Sequence, residues 1–215
     1  MATMAATSRI RSDEQPAQLG LRERKKLKTR IAIRGAAYRL ISEQGYEATT
    51  VEQIAEAAEV SPSTVFRYFP AKEDMVVTDE YDPLLAGLLR ARPAGEAPLE
   101  SFRLIVVETL RNALATERDE MVLRAKLLVE VPAVRARMTE ALSVSARPLS
   151  GVLAERTGRD PAGLEFRIFV AAAFAALREV TIYWGERGCQ DDLIDLADSA
   201  LAGLEGGRQL CQFTS

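Results

Sequence analysis

Residues 45–74, GYEATTVEQIAEAAEVSPSTVFRYFPAKED, constrain this chain more than any other stretch. Gly45 is suited to close a preceding helix. Thr50-Val51-Glu52-Gln53 fits a capping box, with Gln53 reaching back to the cap. Val51, Ile54, Ala55 and Ala58 give that helix one apolar face. A turn near Ala58–Ser61 follows. Ser61-Pro62 then starts another helix: the serine caps it, and the proline takes the first helical position, where its missing N–H is harmless. Val65 and Phe69 face inward at i, i+4 spacing, which leaves Ser63, Thr64, Arg67 and Tyr68 among the residues facing out. Pro70 ends the helix. Two short capped helices about a tight turn, with a basic segment before and Lys72 after, are the layout of a helix-turn-helix that docks on duplex DNA.

The rest of the chain reads as helix as well. Ile33, Ala36, Ala37, Leu40 and Ile41 recur at the spacing of one buried helical face, which predicts a first helix from about 22 to 44. A fourth helix is expected from Ala71, with Glu73 and Asp74 at the positive end of its dipole. Asp82-Pro83 interrupts it, because a residue before proline avoids the α region. Ala91–Pro98 is a loop, and further helices are expected at about 98–116, 118–130, 132–156, 161–186 and 190–205. No alternating strand pattern of useful length occurs. The expected fold is all-α, with a three-helix DNA-binding domain at 21–70 and a larger helical domain for ligand binding and dimerisation at 71–206. A flexible tail at 1–20, in which Arg9 and Arg11 can serve as a minor-groove arm, and a loose tail at 207–215 flank them.

Charge is segregated. The net charge of −3 alone argues against a nucleic-acid partner. Residues 22–34, however, carry seven basic side chains against one acid, Glu23, whereas residues 76–215 carry 16 Lys and Arg against 21 Asp and Glu. A basic end on an acidic body suits a protein that presents one face to phosphates. Lys25, Lys26 and Lys28 are either part of that face or simply solvated.

There is no histidine, which excludes histidine-based acid–base chemistry, serine or cysteine triads with histidine, and histidine metal sites. Two cysteines, Cys189 and Cys211, make neither a disulfide scaffold nor a four-thiolate site, so a reducing cytoplasm is the expected location. No cofactor or metal site is read from the sequence. No run of about 18 apolar residues occurs, so no membrane span is expected.

Ala36–Gly45, Tyr46–Val60 and Ser61–Met75 resemble the DNA-binding domain of the TetR family of bacterial transcriptional regulators. The resemblance implies that the third helix enters the major groove. It implies that Ser61, Ser63, Thr64, Arg67 and Tyr68 contact bases or phosphates, and that Thr49 and Thr50 meet phosphate at the start of the second helix. Lys28 belongs to the basic flank, and Lys72 matches a phosphate-binding lysine at the start of the fourth helix. Thr50 is equally explained by capping alone. Three positions depart from the family pattern. Glu59 stands where the turn often has glycine, at a cost of roughly 1 kcal/mol if that position needs positive φ. Ser63 replaces a frequent glycine, and Phe66 a frequent tyrosine, which removes a hydroxyl contact that Tyr68 partly supplies.

The segment Phe166–Trp184 is apolar nearly all round, and a helix of that kind must be covered on every side. Together with the stripe Leu193, Leu196, Ala197, Ala200, Leu201, Leu204 it predicts a two-fold four-helix dimer interface through Phe174, Leu177, Leu193, Leu196, Ala200 and Leu204. A two-fold dimer also presents two recognition helices to a pseudo-palindrome. The larger domain holds more apolar positions than packing needs. Phe102, Leu128, Phe169, Phe174 and Trp184 are the expected lining of a cavity for a small apolar or amphipathic effector. Asp79–Pro98 and Pro132–Met138 are similar to actinobacterial regulators, some of which respond to acyl-CoA thioesters; the resemblance implies that Arg103, Arg124, Arg135, Arg137 or Arg178 meets the CoA phosphates. The expected function is therefore a ligand-responsive regulator, acting as a repressor. The alternative is a helical enzyme or carrier for a small apolar substrate, with Cys189 as nucleophile and the helix-turn-helix vestigial.

Overall fold

A computed structural model of the chain describes residues 20–78 and 82–205. The N-terminal tail with Arg9 and Arg11, and residues 207–215 with Cys211, lie outside the described residues. Ten helices and no strand occur among the described residues. The chain divides into two units, Met1–Tyr68 and Phe69–Ser215.

The first unit holds α1 (Leu21–Gln44), α2 (Val51–Ala57) and α3 (Pro62–Tyr68). Ile33, Ala36, Ala37, Tyr38 and Ile41 bury one face of α1. They share the core of this unit with Ile54, Ala55 and Val65. The chain leaves α1 at Gly45, whose φ of 87° is the region that glycine enters without a Cβ penalty. The capping box forms as expected: Thr50 Oγ1 accepts from Gln53 N at 3.2 Å, and Gln53 Oε1 accepts from Thr50 N at 2.9 Å.

The second unit holds α4 (Asp74–Val77), α5 (Asp82–Ala91), α6 (Pro98–Thr116), α7 (Arg118–Glu130), α8 (Pro132–Thr157), α9 (Leu164–Glu186) and α10 (Leu193–Glu205). The expected fourth helix is thus a single turn that starts three residues later than Ala71. The Asp74 carboxylate explains the late start, since it takes the Ala71 N–H at 2.9 Å and holds residues 71–73 in a turn. Helix resumes at Asp82-Pro83.

The main core joins α5, α6, α8, α9 and α10, with Leu89, Phe102, Ile105, Leu149, Leu153 and Leu201 almost fully buried. A second cluster surrounds Trp184, whose indole N–H donates to Asp191 O at 2.9 Å. The α5–α6 loop is tied by Arg156, which donates to Arg92 O at 2.7 Å and Pro93 O at 2.8 Å. Within that loop Glu96 pairs with Arg92 and accepts from Ser101, and these bonds lower its carboxyl from 4.5 to about 2.

Among the described residues, α9 is long and apolar enough to cross a membrane by length and composition, although its unbroken apolar run, Ile168–Leu177, lies between Arg167 and Arg178. Only 33% of its most apolar window is buried. Leu164, Ile168 and Tyr183 are exposed at 72%, 58% and 48%, and Ala171 and Ala175 on the same helix are exposed too. Length and composition alone do not make a span, because helices in soluble domains meet the same criteria.

Candidate nucleic-acid interface and effector cavity

The turn between α2 and α3 is closed by two backbone bonds. Val60 N donates to Ala55 O at 2.9 Å, and Glu59 N to Glu56 O at 3.0 Å. This is a Schellman arrangement, which places Glu59 in the left-handed region at φ 55°. A glycine would sit there without strain, so the sequence tolerates a local cost of about 1 kcal/mol.

α3 then begins with a knot of hydroxyls. Ser61 Oγ lies 2.9 Å from both Ser63 Oγ and Thr64 Oγ1 and accepts from Thr64 N at 3.2 Å. Val65 is fully buried, which turns Ser63, Phe66 and Arg67 to the opposite side, where all three are exposed. Arg67 stacks over the Tyr68 ring, 5.3 Å from its centroid. The Tyr68 carbonyl accepts from Arg30 of α1 at 3.3 Å, which fixes the end of the helix. The result is an exposed face carrying hydroxyl donors, a guanidinium and an aromatic ring, the side-chain types that contact phosphate and base edges.

The other expected DNA residues fare differently. Lys28 and Thr50 are exposed. Thr50 Oγ1 is used as acceptor in the cap, so its O–H remains a donor for phosphate. Thr49 does not fit a side-chain phosphate contact: it is 1% exposed, and its hydroxyl donates to Gly45 O at 2.8 Å. Its role is to fold the α1–α2 turn. Lys72 is half-buried and belongs to the turn ahead of α4, within the second unit. Of the seven basic residues at 22–34, Arg34 is buried rather than facing solvent. Phe66, which lacks the hydroxyl of a tyrosine, is 49% exposed and so is an apolar member of the α3 face.

The second unit encloses a cavity of about 190 Å³. α6 runs along it from Val106 through Thr109 and Leu110 to Ala113, and Glu117 just past its end also borders it, a length of about 16 Å at 1.5 Å per residue. Val77 of α4 and Leu85 of α5 reach it from either side of the break between those helices, and α8 contributes Met138 and Leu142. One end is charged, with Glu117, Glu120 and Arg124. Of the expected lining residues, only Phe174 borders this cavity. Phe102 is 1% exposed and packs against Phe174 with ring centroids 5.5 Å apart. Leu128 and Trp184 are also core, and Phe169 packs on the main cluster. The largest apolar side chains are used in the tightest packing, so smaller residues border the cavity.

The five arginines separate in the same way. Arg103 is held by Glu100 and Asp198, and Arg137 by Asp74 and Glu140. Arg135 donates to Leu128 O and Val129 O, each at 2.8 Å. Arg178 bonds Thr139 and Glu179. Arg124 alone of the five borders the cavity. The expected interface set also divides. Phe174, Leu177 and Leu193 line the cavity, while Leu196, Ala200 and Leu204 are half-buried within their own unit. Leu164, Ile168, Ala171, Ala175 and Tyr183 of α9 are left exposed, as is Val144 of α8, and an all-round apolar sequence does not distinguish that side of α9. Cys189 is buried and its thiol is pushed up by desolvation, the reverse of an activated nucleophile.

The family model "Bacterial regulatory proteins, tetR family" matches residues 33–77, and that of the MftR C-terminal domain matches residues 96–209. The HTH-type transcriptional regulator TcmR of Streptomyces glaucescens is 36% identical over 196 residues, covering 86% of each chain. The fatty acid metabolism regulator protein of Bacillus subtilis (strain 168) is 24% identical and covers 82% of this chain and 94% of that one. Among solved structures, Thermus thermophilus FadR in complex with lauroyl-CoA is similar at TM-score 0.55 and 26% identity, covering 83% of this chain and 94% of that one. FadR from Bacillus subtilis in complex with stearoyl-CoA is similar at TM-score 0.55 and 25% identity, covering 82% and 98%.

Proposed function

Since the chain belongs to the TetR family of bacterial transcriptional regulators, we propose that it represses by binding a pseudo-palindromic operator as a homodimer and lets go when an acyl-CoA thioester enters the second unit. It is a ligand-responsive regulator with a helix-turn-helix, and the relatives named above are regulators rather than enzymes.

In this reading the exposed α3 face docks in the major groove, and Arg67 reads a guanine edge. Ser61, Ser63, Thr64 and the cap at Thr50 meet backbone phosphates, with Lys28 and Lys72 adding charge. The partner copy covers the apolar face of α9 formed by Leu164, Ile168, Ala171, Ala175 and Tyr183. Two recognition helices then engage half-sites about one helical turn or more apart.

The observation that carries the effector is the cavity, whose mostly apolar wall, with Val106, Leu110, Met138, Leu142 and Phe174, suits the apolar body of such a molecule. The FadR structures similar to it are complexes with lauroyl-CoA and stearoyl-CoA, which supports a thioester as that molecule. The volume of about 190 Å³ is a little larger than the roughly 150 Å³ that accommodates benzene. It suits a medium chain of about eight carbons without rearrangement of the lining. Ligand entry acts by favouring the state that does not fit the operator.

The test is a series of acyl-CoAs from four to eighteen carbons, read by thermal shift and by release of bound operator. The reading expects stabilisation and release to peak near octanoyl-CoA, with a gain of about 2.7 kcal/mol at a hundredfold excess over Kd. If no acyl-CoA either stabilises the protein or releases DNA, the thioester is the wrong effector.

A further inference from the structure

The cavity lies between the two hydrophobic clusters of the second unit, and its two ends differ. At the end nearer Glu117, Leu110 of α6 and Val180 of α9 border it and pack on the Trp184 cluster. At the other end Val106 of α6 and Phe174 of α9 border it, and both belong to the main cluster. α6 and α9 therefore run along the cavity in the same sense. On both helices the border stops at the same level. Phe102, one turn before Val106, and Val170, one turn before Phe174, are buried in the main cluster and do not border the cavity. The rings of Phe102 and Phe174 meet at that level, with centroids 5.5 Å apart and planes tilted by 45°, and so join α6 to α9 across the end of the space. Phe174 is the one aromatic side chain on the cavity wall among the described residues. It keeps 8% of its surface accessible, whereas Phe102 behind it is almost fully buried. A ring held by a second ring in a densely packed core does not swing aside, so Phe174 is a fixed end wall.

We infer that Phe174 is the specificity-determining residue of the effector cavity: its ring is the stop against which the acyl chain ends, and it sets the chain length accepted. The inference rests on the acyl-CoA reading above. Val106, Phe174 and the core residues behind them leave only apolar surface at this end, where a polar head would be desolvated without partners. The terminal methyl of the chain, rather than the CoA moiety, therefore meets the ring, and the methylenes lie beside Val106, Leu110 and Leu142. Beyond the ring there is packed core and no space for another methylene. A pocket with a fixed end wall discriminates one methylene by about tenfold or more.

The experiment measures Kd by calorimetry for acyl-CoAs of four to eighteen carbons with the full-length wild type, Phe174→Ala, Phe174→Leu and Leu149→Ala. Leu149 is fully buried in the same cluster and does not border the cavity, so its variant controls for lost core packing. Wild type should bind octanoyl-CoA at least about tenfold more tightly than dodecanoyl-CoA. Phe174→Ala should reverse that order, because the ring it removes occupies about the space of four methylenes, each contributing about fourfold in affinity once it is buried. Phe174→Leu removes less and should prefer about ten carbons, and it keeps the test open if the alanine variant does not fold. Leu149→Ala should lose stability and keep the wild-type optimum. An optimum that stays at the wild-type length in the Phe174 variants, or that moves equally in Leu149→Ala, overturns the role of Phe174 while leaving the acyl-CoA reading intact. Wild type that binds no acyl-CoA of any length removes the acyl-CoA reading, and this inference with it.

Discussion

The ion pair between Arg137 and Asp74 permits a quantitative test of how α4 is held. Asp74 is 5% exposed, and it accepts Arg137 Nε at 2.6 Å on one oxygen and Arg137 Nη2 at 3.0 Å on the other. The second oxygen also takes the Ala71 N–H. Arg137 is itself held more strongly in its charged form by these bonds to Asp74. Met138, next to Arg137, and Val77, one helical turn beyond Asp74, both line the cavity, so the pair joins α4 to α8 beside the place where an effector would press. Removing one partner of a buried pair costs about 3–5 kcal/mol. The Arg137 side chain is 31% exposed, so water takes over part of the lost interaction and about 2–3 kcal/mol is the expected loss for Arg137→Ala. For a unit of this size that lowers Tm by about 4–12 °C. Asp74→Asn in the same background removes the buried charge yet retains an acceptor for Ala71 N, so the double variant should lose less than the sum of the singles, with a coupling of about 1–2 kcal/mol. Urea or thermal unfolding of the four proteins measures the cycle. Additive losses, or an Arg137→Ala variant within about 0.5 kcal/mol of wild type, would refute the reasoning.

Three further outcomes are expected. Glu59→Gly should stabilise the protein by up to about 1 kcal/mol by relieving the positive φ of the turn before α3; unchanged or lower stability in urea titration would count against that strain. Gly185→Ala should destabilise by about 1–3 kcal/mol, because its Cβ would stand 2.7 Å from the backbone oxygen of Ala125 and 3.0 Å from a Val129 methyl, and a wild-type Tm would show that α7 and α9 can part at no cost. Glu96 has a folded carboxyl value of about 2, below its ordinary 4.5, so its contribution is complete above about pH 4.5 and is lost as pH falls toward 2. The Tm gap between wild type and Glu96→Gln should accordingly be constant above pH 5 and close below it; a gap independent of pH would contradict the pairing.

The elements legible in the sequence are those fixed by local chemistry. Gly45, the Thr50–Gln53 box and Ser61-Pro62 set the ends of α1, α2 and α3 through bonds spanning only a few residues, and the structure contains those bonds. Pro98, Pro132 and Gly158 mark the later helices in the same way. Properties that depend on which face of a helix meets which neighbour were not legible. Thr49 shares the residue type of Thr50 but is turned inward by its bond to Gly45. Trp184 and Phe102 have the size and character of cavity-lining residues, yet the core uses them, and smaller residues such as Ala113, Thr109 and Leu142 border the cavity. Gly185 falls inside the expected helix 161–186, but nothing in its local sequence shows that it admits Ala125 at close range in the last turn of α9. A spacing rule assigns a residue to a helix face; only the partner helix decides whether that face is core, cavity wall or surface.

The central claim is that the α3 face of this regulator reads duplex DNA and that an effector in the second unit controls it. Its most direct test is fluorescence anisotropy on DNA from upstream of the protein's own gene, with wild type, Arg67→Ala and Lys72→Ala, across a salt series and with octanoyl-CoA added. The account predicts wild-type binding that weakens steeply with salt, a loss of about 1–3 kcal/mol for Arg67→Ala, a shallower salt slope for Lys72→Ala, and release by the thioester. Variants that bind this DNA as tightly as wild type, with the same salt dependence, would contradict it.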